Sequence, residues 1–213
     1  ASVHPLMSQA VDALAQRNVP VFALISQLSA TGGTHYVGID NWKAGRMFAW
    51  TVAHVCKNPG KVGILVGNHR FRCQEMNESG FRSYFREHAS DFVLLEPQST
   101  FENANIARDV TEDILAKHPD LAGLFISGGG FSGAAAALRE SKRAKDIIAV
   151  GYELTDVTRE ALLDGTINFL ISHPMAQFGD AVLTAMIQAF DGGPDFPPPS
   201  ISLPFDIYTS ENL

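Results

Sequence analysis

The stretch Leu121-Ala122-Gly123-Leu124-Phe125-Ile126-Ser127-Gly128-Gly129-Gly130-Phe131-Ser132-Gly133-Ala134-Ala135-Ala136-Ala137-Leu138 carries most of the fold in one reading. A continuous apolar run of strand length meets a glycine turn, and an alanine-rich helical pattern follows. A run apolar on both faces is what a strand covered on both sides requires. Ile147-Ile148-Ala149-Val150-Gly151-Tyr152 repeats the pattern after the helix. Strand, helix and strand in this order make a βαβ unit, hence a parallel sheet.

Working outward, the same alternation fills the chain. Strands are expected at 19–26, 35–39, 61–67, 92–96, 121–127, 147–152 and 167–172, with a last one within 201–208. Helices are expected at 5–17, 41–56, 74–88, 102–117, 131–142, 155–163 and 174–190. Lys57-Asn58-Pro59-Gly60, Asp164-Gly165 and Asp191-Gly192-Gly193-Pro194 read as turns. Pro197-Pro198-Pro199 reads as a stiff connector into the final strand.

Composition narrows the function classes. The 213 residues are 46% hydrophobic and 18% charged, with a net charge of −7. A chain of this length buries roughly 70% of its unfolded surface and needs no disulfide or metal staple. Its acidity leaves no broad footprint for a phosphate backbone, so it is not expected to grip nucleic acid alone. Cys56 and Cys73 lack metal-ligand spacing, and the pair reads as the mark of a reducing compartment. No run approaches the ~18 apolar residues of a membrane span. The start shows no basic, apolar signal sequence. These signs place the protein in the cytoplasm, with no membrane partner, and its first residue reads as the start of a fragment. The seven His show no ligand spacing, so no metal is expected, nor any cofactor.

In an open α/β sheet, ligands sit outside the carboxyl ends of the strands. That rule nominates Asp40, the loop Asn68-His69-Arg70-Phe71-Arg72, Phe101, Ser127 with Gly128 to Gly130, Glu153, and Ser172 with His173. Ser26 and Gln27, at the end of an earlier strand, are weaker candidates. Gly128 to Gly133 also fits G-x-G-x-x-G between strand and helix, and Glu153 stands where an acid would meet a ribose. A dinucleotide-dependent oxidoreductase is therefore one alternative. Against it, the unit lies late in the chain and no catalytic constellation follows. Ser-elbow, P-loop and H-E-x-x-H patterns are missing from the sequence, and no enzyme is expected.

A longer series of landmarks points elsewhere. It comprises Asn18-Val19-Pro20-Val21-Phe22, Tyr36-Val37-Gly38-Ile39-Asp40-Asn41, Lys61-Val62-Gly63-Ile64-Leu65-Val66-Gly67 and Gly80-Phe81-Arg82. His118-Pro119-Asp120-Leu121, Val150-Gly151-Tyr152-Glu153 and Ile207-Tyr208-Thr209-Ser210 complete it. In this order the series resembles the effector-binding core of the lactose-repressor (LacI/GalR) family, which has the type I periplasmic sugar-binding fold. The resemblance implies two lobes: 1–41 with 174–203, and 42–173 with 204–213. The first lobe would be incomplete at its N-terminus, lacking also the helix-turn-helix. It implies a sugar or related small effector in the cleft, a homodimer, and operator DNA only through the missing module. Asp40 and Glu153 would hold hydroxyls, and Phe101 would stack on a sugar ring. Ser127 and His173 stand where the family has Asn and Gln. Asn77 replaces an Arg, whose reach Arg72 takes over. A transporter's sugar-binding protein is the alternative of the same fold.

Overall fold

The computed structural model describes residues 3–31, 33–193 and 199–213. It is an α/β structure with two sheets. The larger has the order β10-β8-β7-β6-β3-β4, from β3 (Lys61–Val66), β4 (Val93–Leu94), β6 (Leu121–Ile126), β7 (Ile148–Tyr152), β8 (Phe169–Ser172) and β10 (Asp206–Tyr208). A two-residue strand, β5 (Gln98–Ser99), also pairs with β3. Every pairing is parallel except β10 on β8. The smaller sheet is parallel throughout, in the order β1 (Phe22–Leu24), β2 (His35–Ile39), β9 (Ser200–Leu203).

Helices fill the connections: α1 (Pro5–Ala15), α2 (Asn41–Val55), α3 (Arg72–His88), α4 (Ala104–Lys117), α5 (Phe131–Glu140), α6 (Asp156–Leu163) and α7 (Met175–Gly192). Alternate residues of the larger sheet feed two cores. Leu65, Leu124, Ile126 and Leu170 pack with Leu138 and Leu162 on one face. Ile64, Val66, Phe125, Val150 and Ile171 pack with Phe48, Phe81 and Phe85 on the other. Burial of this sheet on both faces explains why its strands read as unbroken apolar runs.

The smaller sheet departs from that pattern. Helix α7 lies against β2 and β9, yet its Leu183, Met186, Ile187 and Phe190 stay exposed, Phe190 at 86%. The central strand β2 is nevertheless buried at all five positions.

Several boundaries move for identifiable reasons. The strand expected at 19–26 is only Phe22–Leu24: Pro20 offers no N–H, and Ile25 is left-handed at φ 67°. Pro97 splits the run at 92–96 from β5. The strand expected within 201–208 is two strands in different sheets, β9 and β10, parted at Pro204. Helix α4 begins at Ala104 instead of 102, because Phe101 and Glu102 are left-handed and the Asn103 side chain caps the helix. Residues Pro194, Pro197 and Pro198 of the expected turn and connector lie outside the described residues.

Helices α2 and α3 touch backbone to backbone. A Cβ on Gly45 would overlap the carbonyl of Asn77, and one on Gly80 that of Trp42. That contact sets α3, with Arg72 and Asn77, against the start of α2.

Candidate functional site

Three of the nominated residues end neighbouring strands of the larger sheet: Ser127 after β6, Glu153 after β7 and His173 after β8. Glu153 is left-handed at φ 62°, held by its N–H on Ile171 O (2.9 Å) and by the Thr158 hydroxyl on its carbonyl (2.6 Å). Its Oε2 accepts the Ser172 hydroxyl at 2.8 Å and the His173 N–H at 3.2 Å. Oε1 lies 2.5 Å from His173 Nδ1. Burial alone would raise the Glu153 carboxyl, but the hydrogen bonds from His173 and Ser172 outweigh it and leave it below its ordinary value. It is therefore an ionised acceptor at neutral pH.

His173 is 4% exposed, and Phe178 meets its ring edge-on. The carboxylate engages Nδ1 and so fixes the ring, leaving Nε2 as its second polar atom. Among the described residues that Nε2 has no partner, and neither does the buried Ser127 Oγ. A buried polar atom left unpaired costs about 1–3 kcal/mol. The two atoms belong to residues that follow β6 and β8, the strands on either side of β7, which Glu153 follows.

Asp40 and Arg72 meet at a different place. They line a cavity of about 250 Å³ with Gln27, Tyr36, Asn41, Cys73 and Met76, where the smaller sheet faces the first turns of α2 and α3. Asp40 also caps α2, its Oδ1 accepting the Lys43 N–H at 3.0 Å. The Tyr36 phenol donates to Ile39 O at 2.9 Å, and burial first, then Cys73 nearby, pushes it up to about 12. Asn77 faces neither cleft nor solvent: it is buried, and its Oδ1 accepts the Tyr152 hydroxyl at 2.6 Å. Phe101 is 65% exposed on the β5–α4 turn.

The glycine turn is already in use. Gly130 is left-handed at φ 87° and caps α5, and the Gly129 N–H donates to the Glu102 carboxylate at 2.6 Å. An amide that a pyrophosphate would need is thus taken by the chain itself. Glu102, Gln74 and the cavity residues Tyr36, Cys73 and Met76 were missed in the sequence, where none of them ends a strand. Among the described residues, no group of three His, Cys, Asp or Glu could hold a metal.

The two thiols are free and half-buried, with different neighbours: Cys56 Sγ donates to Ala122 O and the Cys73 N–H to Ser26 Oγ. Unpaired half-buried thiols say nothing of a reducing compartment.

Known proteins share this architecture. The D-apiose import binding protein of Paraburkholderia graminis is 24% identical over 160 residues, 74% of this chain and 51% of that protein. The D-ribose/D-allose-binding protein of Pseudomonas aeruginosa is 27% identical over 136 residues, 63% of this chain and 42% of that one. The chain spans about half the length of the curated relatives it matches. The crystal structure of GanP, a glucose-galactose binding protein from Geobacillus stearothermophilus, superposes on the whole chain with a TM-score of 0.90, over 75% of its own length and at 19% identity. At that identity it shows the fold.

These relatives correct one expectation and leave another without support. Import binding proteins work outside the cytoplasm, so they overturn the cytoplasmic placement and point to the periplasm or the cell exterior. Both are named as binding proteins, so the regulator part of the resemblance, and operator DNA with it, finds no support in them. The fold part stands on broader ground. The profile of the periplasmic binding protein domain matches residues 2–194, and the chain belongs to that family.

Proposed function

We propose that this chain is the sugar-holding part of a solute-binding protein that serves a sugar importer. The observation that carries the reading is the pair of buried atoms without a partner among the described residues, His173 Nε2 and Ser127 Oγ, at the strand ends on either side of the ionised Glu153. Sugar hydroxyls both donate and accept, so one pyranose or furanose ring can satisfy all three groups. Charge-assisted bonds to the carboxylate contribute about 1.5–3 kcal/mol each. The relatives named for D-apiose, D-ribose and D-allose support a pentose or hexose as the ligand class.

In this reading the two sheets are the cores of two lobes, 1–41 with 174–203 and 42–173 with 204–213. Asp40 and Arg72 meet the ligand from where the lobes face each other, and Phe101 stacks on its apolar face. A ligand that touches both lobes favours their approach, and only that difference in affinity shifts the equilibrium. The reading assigns no catalytic step, no DNA contact and no role to a dimer.

Thermal shift and calorimetric titration with D-ribose, D-allose, D-apiose, D-xylose, D-glucose and D-galactose test it. A bound sugar at 100 times its Kd adds about 2.7 kcal/mol of stability. A flat response to all six at millimolar concentration would sink the reading.

A further inference from the structure

Phe101 and Glu102 are consecutive non-glycine residues in the left-handed region, at φ 53° and 60°. Such residues are uncommon singly, and a neighbouring pair persists only where the surroundings over-determine it. The surroundings here are specific. Glu102 Oε1 accepts the Gln74 side-chain amide at 2.8 Å, and Oε2 accepts the Gly129 N–H at 2.6 Å. Gln74 in turn accepts the Asn68 N–H at 2.8 Å. One carboxylate therefore ties together the loop after β3, the first turn of α3 and the turn after β6.

The glycines on either side are shaped to it. A Cβ on Gly67 or on Gly129 would overlap the Glu102 carboxylate. The residues flanking the pair are pinned as well. The Thr100 N–H donates to Val66 O and its hydroxyl to Gly129 O, both at 2.7 Å, while Asn103 caps α4. Between these anchors the Phe101 ring is left 65% exposed. The sequence passes from β3 to one side of the sheet and returns on the other with β6. The gap between β3 and β6 is thus the topological switch point, where ligands of open α/β sheets bind.

We propose that Glu102 is a positioning residue whose carboxylate, clamped between Gln74 and the Gly129 N–H, holds Phe101 in a strained turn so that its ring stays presented at the switch point. The role rests on the sugar-binding reading for its purpose, but not for its geometry. A turn whose only task was to connect β5 to α4 would relax if the carboxylate were removed and glycine supplied the left-handed backbone. Glu102→Gly is therefore the informative change: it deletes the clamp and keeps the backbone region accessible. Glu102→Gln keeps the shape and one acceptor.

The test places 4-trifluoromethyl-phenylalanine at position 101 and reads its single fluorine-19 resonance, with D-ribose and D-galactose as the sugar probes. The unaltered chain gives a shifted, broadened line. In Glu102→Gly that line narrows and moves to the position of the unfolded chain, while far-UV circular dichroism stays the same. Affinity for whichever probe binds falls about tenfold, because the Phe101 ring is no longer held in place to stack on the sugar. Glu102→Gln restores most of both signals. An unmoved resonance in Glu102→Gly overturns the positioning role. A moved resonance with unchanged affinity overturns its purpose in binding. If neither probe binds the unaltered chain, the sugar reading loses ground for those two sugars, and the resonance still decides the role of Glu102.

Discussion

Glu153 grips His173 twice, through Nδ1 at 2.5 Å and through the backbone N–H at 3.2 Å. The grip joins the ends of β7 and β8 and fixes the His173 ring, whose Nε2 lies buried with no partner among the described residues.

Replacing Glu153 with Ala frees the imidazole to turn and removes a hydroxyl acceptor. Affinity for the bound sugar should drop more than about tenfold, with the fold retained, since Thr158 and Ile171 hold the Glu153 backbone. Calorimetric titration checks it. An unchanged Kd would remove Glu153 from the site.

Acid should weaken the protein through the same residue. Burial raises the Glu153 carboxyl, and the stronger pull of His173 and Ser172 brings it below its ordinary 4.5. A carboxyl lowered on folding stabilises fully above its unfolded value and loses that contribution as pH falls through the folded value. Melting temperature should therefore decline below about pH 4.5. Glu153→Gln should flatten that decline, and equal slopes in the two proteins would refute the assignment.

The helix pair α2–α3 leaves no space at its crossing. Gly80→Ala drives a methyl into the Trp42 carbonyl and pushes α3 away, with the Asn77–Tyr152 bond on it. Overpacking of this kind costs about 1–3 kcal/mol. Urea denaturation should show that loss, whereas Gly179→Ala, open on the surface of α7, should be neutral or stabilising.

Neither cysteine should react readily in the native state. Burial pushes the Cys56 thiol up to about 11 and raises Cys73 as well. Alkylation of Cys56 at neutral pH should run about a hundredfold slower than in the unfolded chain. Rapid labelling of the folded protein would contradict its burial.

No saturable binding of NAD, NADP or FAD is expected at micromolar concentration. The Gly129 amide is occupied by Glu102, and the carboxylate would repel a pyrophosphate. A clear nucleotide titration would reopen the oxidoreductase reading.

What the sequence disclosed depended on how local each cause is. Strand β2 and the two-faced cores around Phe48, Phe125 and Leu138 were legible, because unbroken apolar runs and helical periods are local signals. Glu153 and His173 could be nominated because each ends a strand. Glu102 could not: it reads as the start of a helix, and its partners Gln74 and Gly129 lie 28 and 27 residues away. The division of 201–208 between two sheets hangs on Pro204; the short apolar stretch conceals it, and only the resemblance set a boundary between 203 and 204. Regulator and transport protein were not separated either. The landmarks around Tyr36–Asn41 and Val150–Glu153 build the scaffold, and a scaffold serves several trades.

The passage from β9 to β10 also limits how the two sheets can travel. Leu203 is fixed in one ladder and Asp206 in the other. Three virtual bonds between their Cα atoms span no more than roughly 11 Å. Ile39 of β2 stands directly before Asp40 and α2, and Ser172 of β8 is just as close to α7. Short leashes at three points forbid sliding or wide separation and leave swivelling as the permitted movement. Lengthening Pro204–Phe205 by a few glycines would slacken one leash and widen the range of angles without touching a single side chain of the site.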